Sequence, residues 1–291
     1  MNKNKKIILL LIFLIIVLVV FLYYNTKIEK FQNNMNTTYE LPKQIWIYWD
    51  SNIMPKNVKL ITDNIIKNAA AWKVTILSDT TIDKYIRNDK FPKKYSTLSP
   101  QHKADFIRLY LLKNYGGLWL DASIIMNDYN ALDNLYNESI EKKSQLTVFN
   151  KEYEWQTDSR YPIIENWFIM APKDSYIISI WLQEYEKAIE MSFENYRKDL
   201  ESNGINLQEI IGTYHIQHLA MQKILQKDIT NISDILIKRA DDNMLKFAVD
   251  CNIDDACMKD KIKDKKYMKQ FPYIKLNGCL RDLLDGDDYF S

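Results

Sequence analysis

The chain has few cysteines, and their number excludes two common ways of stabilising a protein. Three cysteines occur among 291 residues, so the sequence carries neither a disulfide scaffold nor the spacing of a zinc site. Cys251 and Cys257 could bridge in an oxidising compartment, which would leave Cys279. The length leaves room for an N-terminal anchor and one domain of about 250 residues, large enough for a sizeable hydrophobic core.

The chain also lacks an excess of either charge. It has 39 Lys and Arg residues and 38 Asp and Glu residues, for a formal net charge of +1. This balance gives no reason to expect a nucleic-acid partner, because nucleic-acid-binding domains are typically basic. No internal repeat is visible in the sequence.

One long stretch without charge is present, at the N-terminus. Residues 7–26 are almost wholly apolar through Tyr24, which is about the ~20 residues needed to span a bilayer. Lys3, Lys5 and Lys6 precede the stretch and favour a cytoplasmic N-terminus. A cleaved signal peptide is the alternative, but no small-residue cleavage site follows. We therefore predict a single-pass type II membrane protein with a cytoplasmic tail (1–6), a transmembrane signal anchor (7–26), a stem (27–40) and a lumenal domain (41–291).

Residues 98–123 form the most informative stretch of the chain. Ser99 is suited to cap a helix, and Pro100 suits the first helical position, where no N–H group is needed. Apolar residues then recur at helical spacing and predict one apolar face. Asp105 and Arg108 are three residues apart, so they lie on the same side of this helix.

The same stretch continues into a strand that ends on an acidic residue. Gly116 or Gly117 can adopt the left-handed conformation that ends a helix. Residues 118–120 are apolar and predict a short strand buried on both faces. Asp121 then falls at the carboxyl end of the strand, where ligands bind in open α/β sheets.

An α/β fold is also indicated earlier in the chain. Residues 41–49 predict a strand, residues 58–70 a helix and residues 73–77 a second strand. This order implies a parallel pair of strands with a right-handed crossover.

The run KADFIRLYLLKNYGGLWLDAS resembles the central motif of the capsular polysaccharide synthesis family and related DXD-containing sugar transferases. The family pattern is K-A-D-x-x-R, a leucine-rich turn, Y-G-G, an apolar triplet and D-x-D. Five features match in order and spacing, but Ser123 stands where the family has the last aspartate. The resemblance covers roughly residues 41–172, with a weaker similarity at residues 271–276.

This resemblance implies a GT-A domain, Rossmann-like, with a mixed central sheet that binds a nucleotide-diphospho-sugar. The implied reaction transfers a hexose from a UDP- or GDP-sugar to a glycan or glycoprotein acceptor. Mn²⁺ or Mg²⁺ would be held by Asp121 and by Ser123, and Asp121 is also, with Asn166, a catalytic candidate. Because Ser123 offers only a neutral hydroxyl, we expect weaker metal binding or help from another carboxylate. The candidates for that help are Asp128, Asp285, Asp287 and Asp288.

Further site residues are implied on the donor side. Asp105 and Arg108 are placed at the donor sugar, although a solvated intrahelical ion pair is the alternative. Asn166 lies in an E-N-W-F segment similar to one in the family and is placed near the anomeric carbon. Lys275 is placed at the diphosphate. Trp49 is suited to stack on the nucleotide base, with packing in the core as the alternative.

Other interpretations remain open on the sequence. His215 and His218 lie on one face of a helix predicted within residues 207–224, and such histidines are more often structural than ligands. Ser123 favours a second hypothesis, a catalytically inactive membrane-anchored protein that binds a sugar or nucleotide sugar. A transferase that works without metal is a third. The predicted topology suits an ER- or Golgi-like lumen or a virus that uses one.

Overall fold

The computed structural model describes Leu18 and residues 39–152, 158–227 and 230–284. The chain divides into two units, Met1–Tyr39 and Glu40–Ser291, and the fold below is that of the second. The predicted cytoplasmic tail, the transmembrane segment apart from Leu18 and nearly all of the stem lie outside the described residues. In the part of the chain that is described, no helix combines the length and the apolar character needed to cross a bilayer.

The first three elements form the parallel β-α-β unit predicted from the sequence. Strand β1 spans Gln44–Tyr48, helix α1 spans Lys56–Asn68 and strand β2 spans Lys73–Leu77. β1 and β2 pair in parallel, with Gln44 opposite Lys73 and Tyr48 opposite Leu77. Every residue of β1 is buried, as expected for a strand covered on both faces.

The capped helix and the strand predicted after it are also present. Helix α2 spans Pro100–Tyr115, and the Ser99 hydroxyl accepts a hydrogen bond from the backbone N–H of His102. Strand β3, Gly117–Leu120, is buried along its whole length. Between them the chain reverses through Gly116 and Gly117, whose φ angles are +66° and +102°. Both values lie in the region that favours glycine.

Substituting Gly117 with alanine is expected to lower the free energy of unfolding by about 2–3 kcal/mol. A Cβ atom here would lie 2.4 Å from the backbone oxygen of Gln44, so β1 and β3 could not keep their separation. Gly204→Ala is the matched control in chemical denaturation, because Gly204 has φ +71° but open space around an added Cβ. The control should lose only about 1 kcal/mol. Equal losses in the two variants would contradict the close approach at Gln44.

The remaining chain alternates strands with helices and then becomes mostly short helices. The elements after β3 are β4 (Ile124–Met126), α3 (Tyr129–Glu141), β5 (Leu146–Asn150), β6 (Ile164–Ala171), α4 (Tyr176–Met191), α5 (Phe193–Ser202), α6 (Ile216–Gln226), β7 (Ile235–Arg239), α7 (Lys246–Asp250), α8 (Asp255–Lys261), α9 (Lys265–Met268), β8 (Tyr273–Lys275) and α10 (Gly278–Arg281). Cys251 and Cys257 form a disulfide across the loop between α7 and α8, as their spacing allowed.

The main sheet is mixed, as the family resemblance implies. Its described strands follow the order β2-β1-β3-β6-β5-β7. β3 runs parallel to β1 and antiparallel to β6. β5 is antiparallel to β6 and parallel to β7. β3 therefore lies inside the sheet, and its carboxyl end is flanked by β1 and β6.

Three helices pack on one another beside β6 and make the largest part of the core. α4 contacts both α2 and α6, and α2 and α6 each contact β6. The largest side chains buried there include Trp181, Tyr185 and Phe106. α2 is therefore enclosed on more sides than the single apolar face predicted from the sequence, and Asp105 and Arg108 are buried with it.

A second, two-stranded sheet brings the C-terminal part of the chain to the end of β3. β4 pairs antiparallel with β8, with Ile124 opposite Lys275 and Met126 opposite Tyr273. The backbone N–H of Leu276 extends this pairing by donating to the oxygen of Ser123 at 3.1 Å. Lys275 is thereby placed next to the turn that follows Asp121.

Candidate active site

Asp121 is the first residue after β3 and lies at the carboxyl edge of the main sheet. Its backbone N–H donates to the oxygen of Trp167 at 2.9 Å, which continues the pairing of β3 with β6. Its backbone oxygen accepts from the N–H of Ile124 at 3.1 Å and closes the turn to β4. The side chain keeps 27% of its surface exposed, so a ligand at this edge can reach the carboxylate.

Three side chains donate hydrogen bonds to the Asp121 carboxylate. Trp119 Nε1 lies 3.0 Å and Arg108 Nη2 3.3 Å from Oδ1. Lys275 Nζ lies 3.3 Å from Oδ2. Two cations and one indole thus fix the orientation of the carboxylate from two sides.

Ser123 and Lys275 form the shortest contact in this part of the site. Lys275 Nζ donates to Ser123 Oγ at 2.6 Å. Ser123 is buried, while the Lys275 side chain keeps 19% of its surface exposed. The structure therefore brings Lys275 to Asp121 and Ser123, the two motif positions from which the sequence selected it separately.

Asp105 and Arg108 form a buried ion pair, so the alternative of a solvated pair on the helix surface is wrong. Arg108 Nη1 lies 2.7 Å from Asp105 Oδ1, and the two side chains are 5% and 7% exposed. The Arg108 guanidinium also lies over the Trp119 ring, 5.1 Å from its centroid. Arg108 thus connects the ion pair within α2 to the Asp121 carboxylate.

Asn166 joins the same network through a residue that the sequence analysis missed. Asn166 Nδ2 donates to Asp105 Oδ1 at 3.1 Å and to Gln217 Oε1 at 2.7 Å. Gln217 Oε1 also accepts from Arg108 Nη1 at 2.8 Å, and its amide nitrogen donates to the backbone oxygen of Asp105 at 3.2 Å. Gln217 is fully buried. The helix reads IQHLAMQKILQ, and no local signal distinguishes Gln217 from its other polar residues.

Trp49 follows β1 directly and is half-buried. Its ring is covered on one side by the guanidinium of Arg281, 5.0 Å from the ring centroid. Its backbone N–H donates to the oxygen of Leu77 at 2.9 Å. Stacking of a nucleotide base on Trp49 stays a prediction, and any base would share the ring with Arg281.

The chain matches a known protein family over most of its length. The family model described as "Capsular polysaccharide synthesis protein" aligns with residues 19–271. The chain belongs to this family. The family predicted from the central motif is thereby confirmed.

Two curated relatives of this family member carry glycosyltransferase names. The protein named O-glycosyltransferase braB, from Annulohypoxylon truncatum, is 24% identical over 159 residues, which cover 50% of this chain and 37% of the relative. The protein named Probable glycosyltransferase FCK3, from Fusarium pseudograminearum, is 35% identical over 101 residues, covering 29% of this chain and 25% of the relative. The match thus spans well under half the length of either relative.

Two solved structures also align with the chain. A structure titled PaToxG Glycosyltransferase has a TM-score of 0.34 at 14% identity, covering 70% of this chain and 95% of that one. A glycosyltransferase involved in the glycosylation of the major capsid of PBCV-1 has a TM-score of 0.41 at 11% identity, covering 82% and 97%. At TM-scores this low, neither structure supports an inference about this family member.

The oxygen atoms predicted to hold a divalent ion are already bonded to an ammonium group. Lys275 Nζ contacts both Asp121 Oδ2 and Ser123 Oγ. Asp128 caps α3 by accepting from the N–H of Asn130, and Asp285, Asp287 and Asp288 lie outside the described residues. Across the described ranges, no group of three or more His, Cys, Asp or Glu side chains is placed to hold a metal. The donor set at Asp121 and Ser123 does not fit Mn²⁺ or Mg²⁺ in this arrangement.

Burial shifts the pKa values of two groups in the network around Asp105. Burial raises the pKa of the Asp105 carboxyl, although Arg108 acts in the opposite direction. Burial, with the nearby Asp105 carboxyl, also raises the pKa of the Tyr185 phenol well above its usual value. Tyr185 therefore remains a hydrogen-bond donor, and its hydroxyl lies 3.3 Å from Asp105 Oδ2.

Two histidines and a glutamate lie beside this network. α6 begins at Ile216, so only His218 is inside it, and the prediction that His215 and His218 share one helical face is wrong for His215. His218 Nε2 lies 3.7 Å from Glu165 Oε2, and the His215 and His218 rings meet edge to face at 5.1 Å. Burial alone would raise the pKa of Glu165, but His218 and more distant cations outweigh it and lower that pKa.

The free energy of unfolding is expected to fall as the pH drops from about 6.5 to about 4, in part because of His215. Burial and the neighbouring His218 lower the pKa of His215 from 6.5 to about 4, while Glu165 acts in the opposite direction. The unfolded chain therefore binds a proton in this range that the folded chain does not. The partly exposed side chain limits the effect to about 1 kcal/mol. Between pH 7 and pH 4.5, the free energy of unfolding should fall more for wild type than for His215→Gln. An equal fall in the two proteins would contradict the assignment.

Proposed function

We propose that the chain is a glycosyltransferase with a GT-A domain that moves a hexose from a nucleotide-diphosphate sugar to a glycan or glycoprotein acceptor. The observation that carries the proposal is the position of Asp121. This carboxylate lies at the carboxyl edge of a mixed α/β sheet, where such sheets bind ligands, and it is bonded to two cations, Arg108 and Lys275. The names of the two relatives support the reaction class.

The proposed reaction needs charge stabilisation and orientation rather than a special nucleophile. The bond between the anomeric carbon and the diphosphate oxygen breaks, and its electron pair leaves with the nucleoside diphosphate. The acceptor hydroxyl oxygen bonds to the anomeric carbon and releases its proton to water. Preorganised cations such as Lys275 stabilise charge that develops on the leaving diphosphate.

The buried network is proposed to hold the donor sugar. Asn166 bonds to both Asp105 and Gln217, so its orientation is fixed before a ligand arrives. Asp105 and Arg108 are tied to the same amides and to Asp121. Locked side chains of this kind can position sugar hydroxyls with little loss of entropy on binding.

A product-release assay across UDP- and GDP-hexoses tests the proposal. The purified full-length chain in detergent would be incubated with each donor and with glycan and glycoprotein acceptors, and released UDP or GDP would be measured together with the labelled product. Turnover with at least one donor, and more product when acceptor is added, is the expected result. Failure of every donor to turn over, with and without Mn²⁺, would count against a transferase.

A second candidate function is that of a catalytically inactive sugar- or nucleotide-sugar-binding protein. Ser123 favours it, because a neutral hydroxyl replaces a carboxylate of the family motif. Calorimetric titration with UDP and GDP separates the two functions. Saturable binding without turnover of any bound donor would support the second candidate over the first.

We also propose that the chain is anchored in a membrane as a type II protein, with its catalytic domain in a secretory lumen or associated with a virus. The uncharged residues 7–26 and the preceding lysines support this topology. The Cys251–Cys257 disulfide accords with an oxidising compartment. Protection of residues 41–291 from protease in sealed microsomes, and its loss on adding detergent, is the expected outcome.

A further inference from the structure

The inference concerns Lys275, whose ammonium bonds to the two residues that the family motif assigns to a divalent ion. Lys275 Nζ lies 2.6 Å from Ser123 Oγ and 3.3 Å from Asp121 Oδ2. Hard divalent ions bind oxygen ligands at about 2.0–2.6 Å. An ion held by both of these oxygens would therefore lie beside the ammonium, and the two like charges would repel strongly in this partly buried site.

The formal charges agree with replacement of the ion by the lysine. Two carboxylates and a divalent ion sum to neutral, as in the family pattern D-x-D with its metal. Arg108 is counted against its closer partner Asp105, and Asp121, the neutral Ser123 and the Lys275 ammonium then also sum to neutral. The loss of a carboxylate at position 123 is thus matched by the loss of one positive charge.

The fold holds Lys275 in this position from both of its neighbouring segments. Lys275 lies opposite Ile124 in the pairing of β8 with β4. Its backbone N–H donates to the oxygen of Met244 at 2.8 Å. The backbone of Leu276 is bonded to that of Ser123. The ammonium is therefore part of the built site rather than a mobile surface charge. Its third contact, to the backbone oxygen of Leu276 at 3.4 Å, is the longest of the three, and 19% of the side chain is exposed.

We propose that the Lys275 ammonium takes the place of the divalent cation, so that the chain binds the donor diphosphate and transfers its sugar without a metal. This inference rests on the proposed function. Lys275 exchanges its long contact to the Leu276 oxygen for a hydrogen bond to a diphosphate oxygen, and it stabilises the charge that the departing electron pair brings. Asp121 and Ser123 hold the ammonium in place, and the acceptor proton leaves to water as in the general reaction.

Nucleotide binding in chelator tests the proposal directly. UDP and GDP are titrated calorimetrically into the purified full-length chain in detergent, once in EDTA and once in Mn²⁺. The affinity of wild type for the preferred nucleotide should agree within about twofold between the two conditions. Lys275→Ala should lower that affinity about 10- to 100-fold, the loss expected for a hydrogen bond to a charged group. Lys238→Ala is the matched control, because Lys238 is another partly buried lysine that pairs with Glu138 outside the site; it should bind like wild type.

A double variant provides a readout that does not depend on nucleotide. Ser123→Asp combined with Lys275→Ala restores two carboxylates and removes the ammonium, so it should bind Mn²⁺ detectably by electron paramagnetic resonance, whereas wild type should not. Nucleotide binding by this variant should also become sensitive to EDTA. Thermal unfolding of each variant checks that it is folded.

The outcomes separate this inference from the function on which it rests. Wild-type binding that requires Mn²⁺, or Mn²⁺ binding by wild type that Asp121→Asn abolishes, would overturn the role of Lys275 while leaving the transferase intact. Binding of neither nucleotide under either condition would overturn both.

Discussion

Replacing Asp121 with asparagine is expected to lower the rate of sugar transfer by at least about 100-fold while leaving the protein folded. The asparagine side-chain oxygen can still accept from Trp119 Nε1, which lies 3.0 Å from Asp121 Oδ1, so the local geometry should persist. The variant loses the negative charge that holds the Arg108 and Lys275 side chains in place. Those cations would then no longer be fixed at the position where the leaving group develops charge. Release of the nucleoside diphosphate under saturating donor measures the change.

Asp133→Asn is the matched control for this substitution. Asp133 pairs with Lys43 at 2.9 Å, its side chain is 40% exposed, and it lies outside the Asp121 network. Its loss should change transfer by less than about twofold, since a partly exposed ion pair contributes little. If Asp121→Asn kept more than a tenth of the wild-type rate, the assignment of Asp121 as the central residue of the site would be wrong.

Replacing Arg108 with methionine is expected to lower the free energy of unfolding by about 3–5 kcal/mol. Arg108 and Asp105 are 5% and 7% exposed, so the substitution leaves the Asp105 carboxylate buried without its nearest cation. Burial already raises the pKa of Asp105, which indicates how unfavourable its charged form is in this environment. The substitution also removes the guanidinium from the Trp119 ring. Equilibrium denaturation at pH 7 measures the loss.

Two further variants show whether the buried charge causes this loss. Asp105→Asn combined with Arg108→Met removes both charges and should recover about 2 kcal/mol relative to Arg108→Met alone. Arg87→Met is the surface control, because Arg87 and its partner Asp89 are 80% and 54% exposed, and it should cost less than about 0.5 kcal/mol. A loss at Arg108 no larger than that at Arg87 would contradict a structural role for the buried pair.

Much of the region around Asp121 was predictable because its signals are local. Ser99 and Pro100 specify the start of α2 through hydrogen bonding and a fixed φ angle. Gly116 and Gly117 supply backbone conformations that other residues avoid. The position of Asp121 at the end of β3 followed from these neighbours alone.

The burial of Asp105 and Arg108 was not predictable in the same way. Their spacing is the same for a solvated surface pair and for a buried one, so the pattern left both alternatives open. The packing of α4 and α6 against α2 decided between them, because it brings Tyr185 and Gln217 onto Asp105. The prediction that His215 lies inside the helix with His218 was wrong, because hydrophobic spacing predicts the existence of a helix better than its ends.

By itself the sequence determined the family, the β-α-β order, the capped helix and the carboxylate that follows β3, because each depends on residues within a few positions of one another. Only the tertiary structure decided that Lys275 bonds to Ser123, 152 positions away, and that Gln217 bonds to Asn166, 51 positions away. Such contacts depend on which strands pair and how helices pack, and these arise from the summed burial of the whole core rather than from any short pattern.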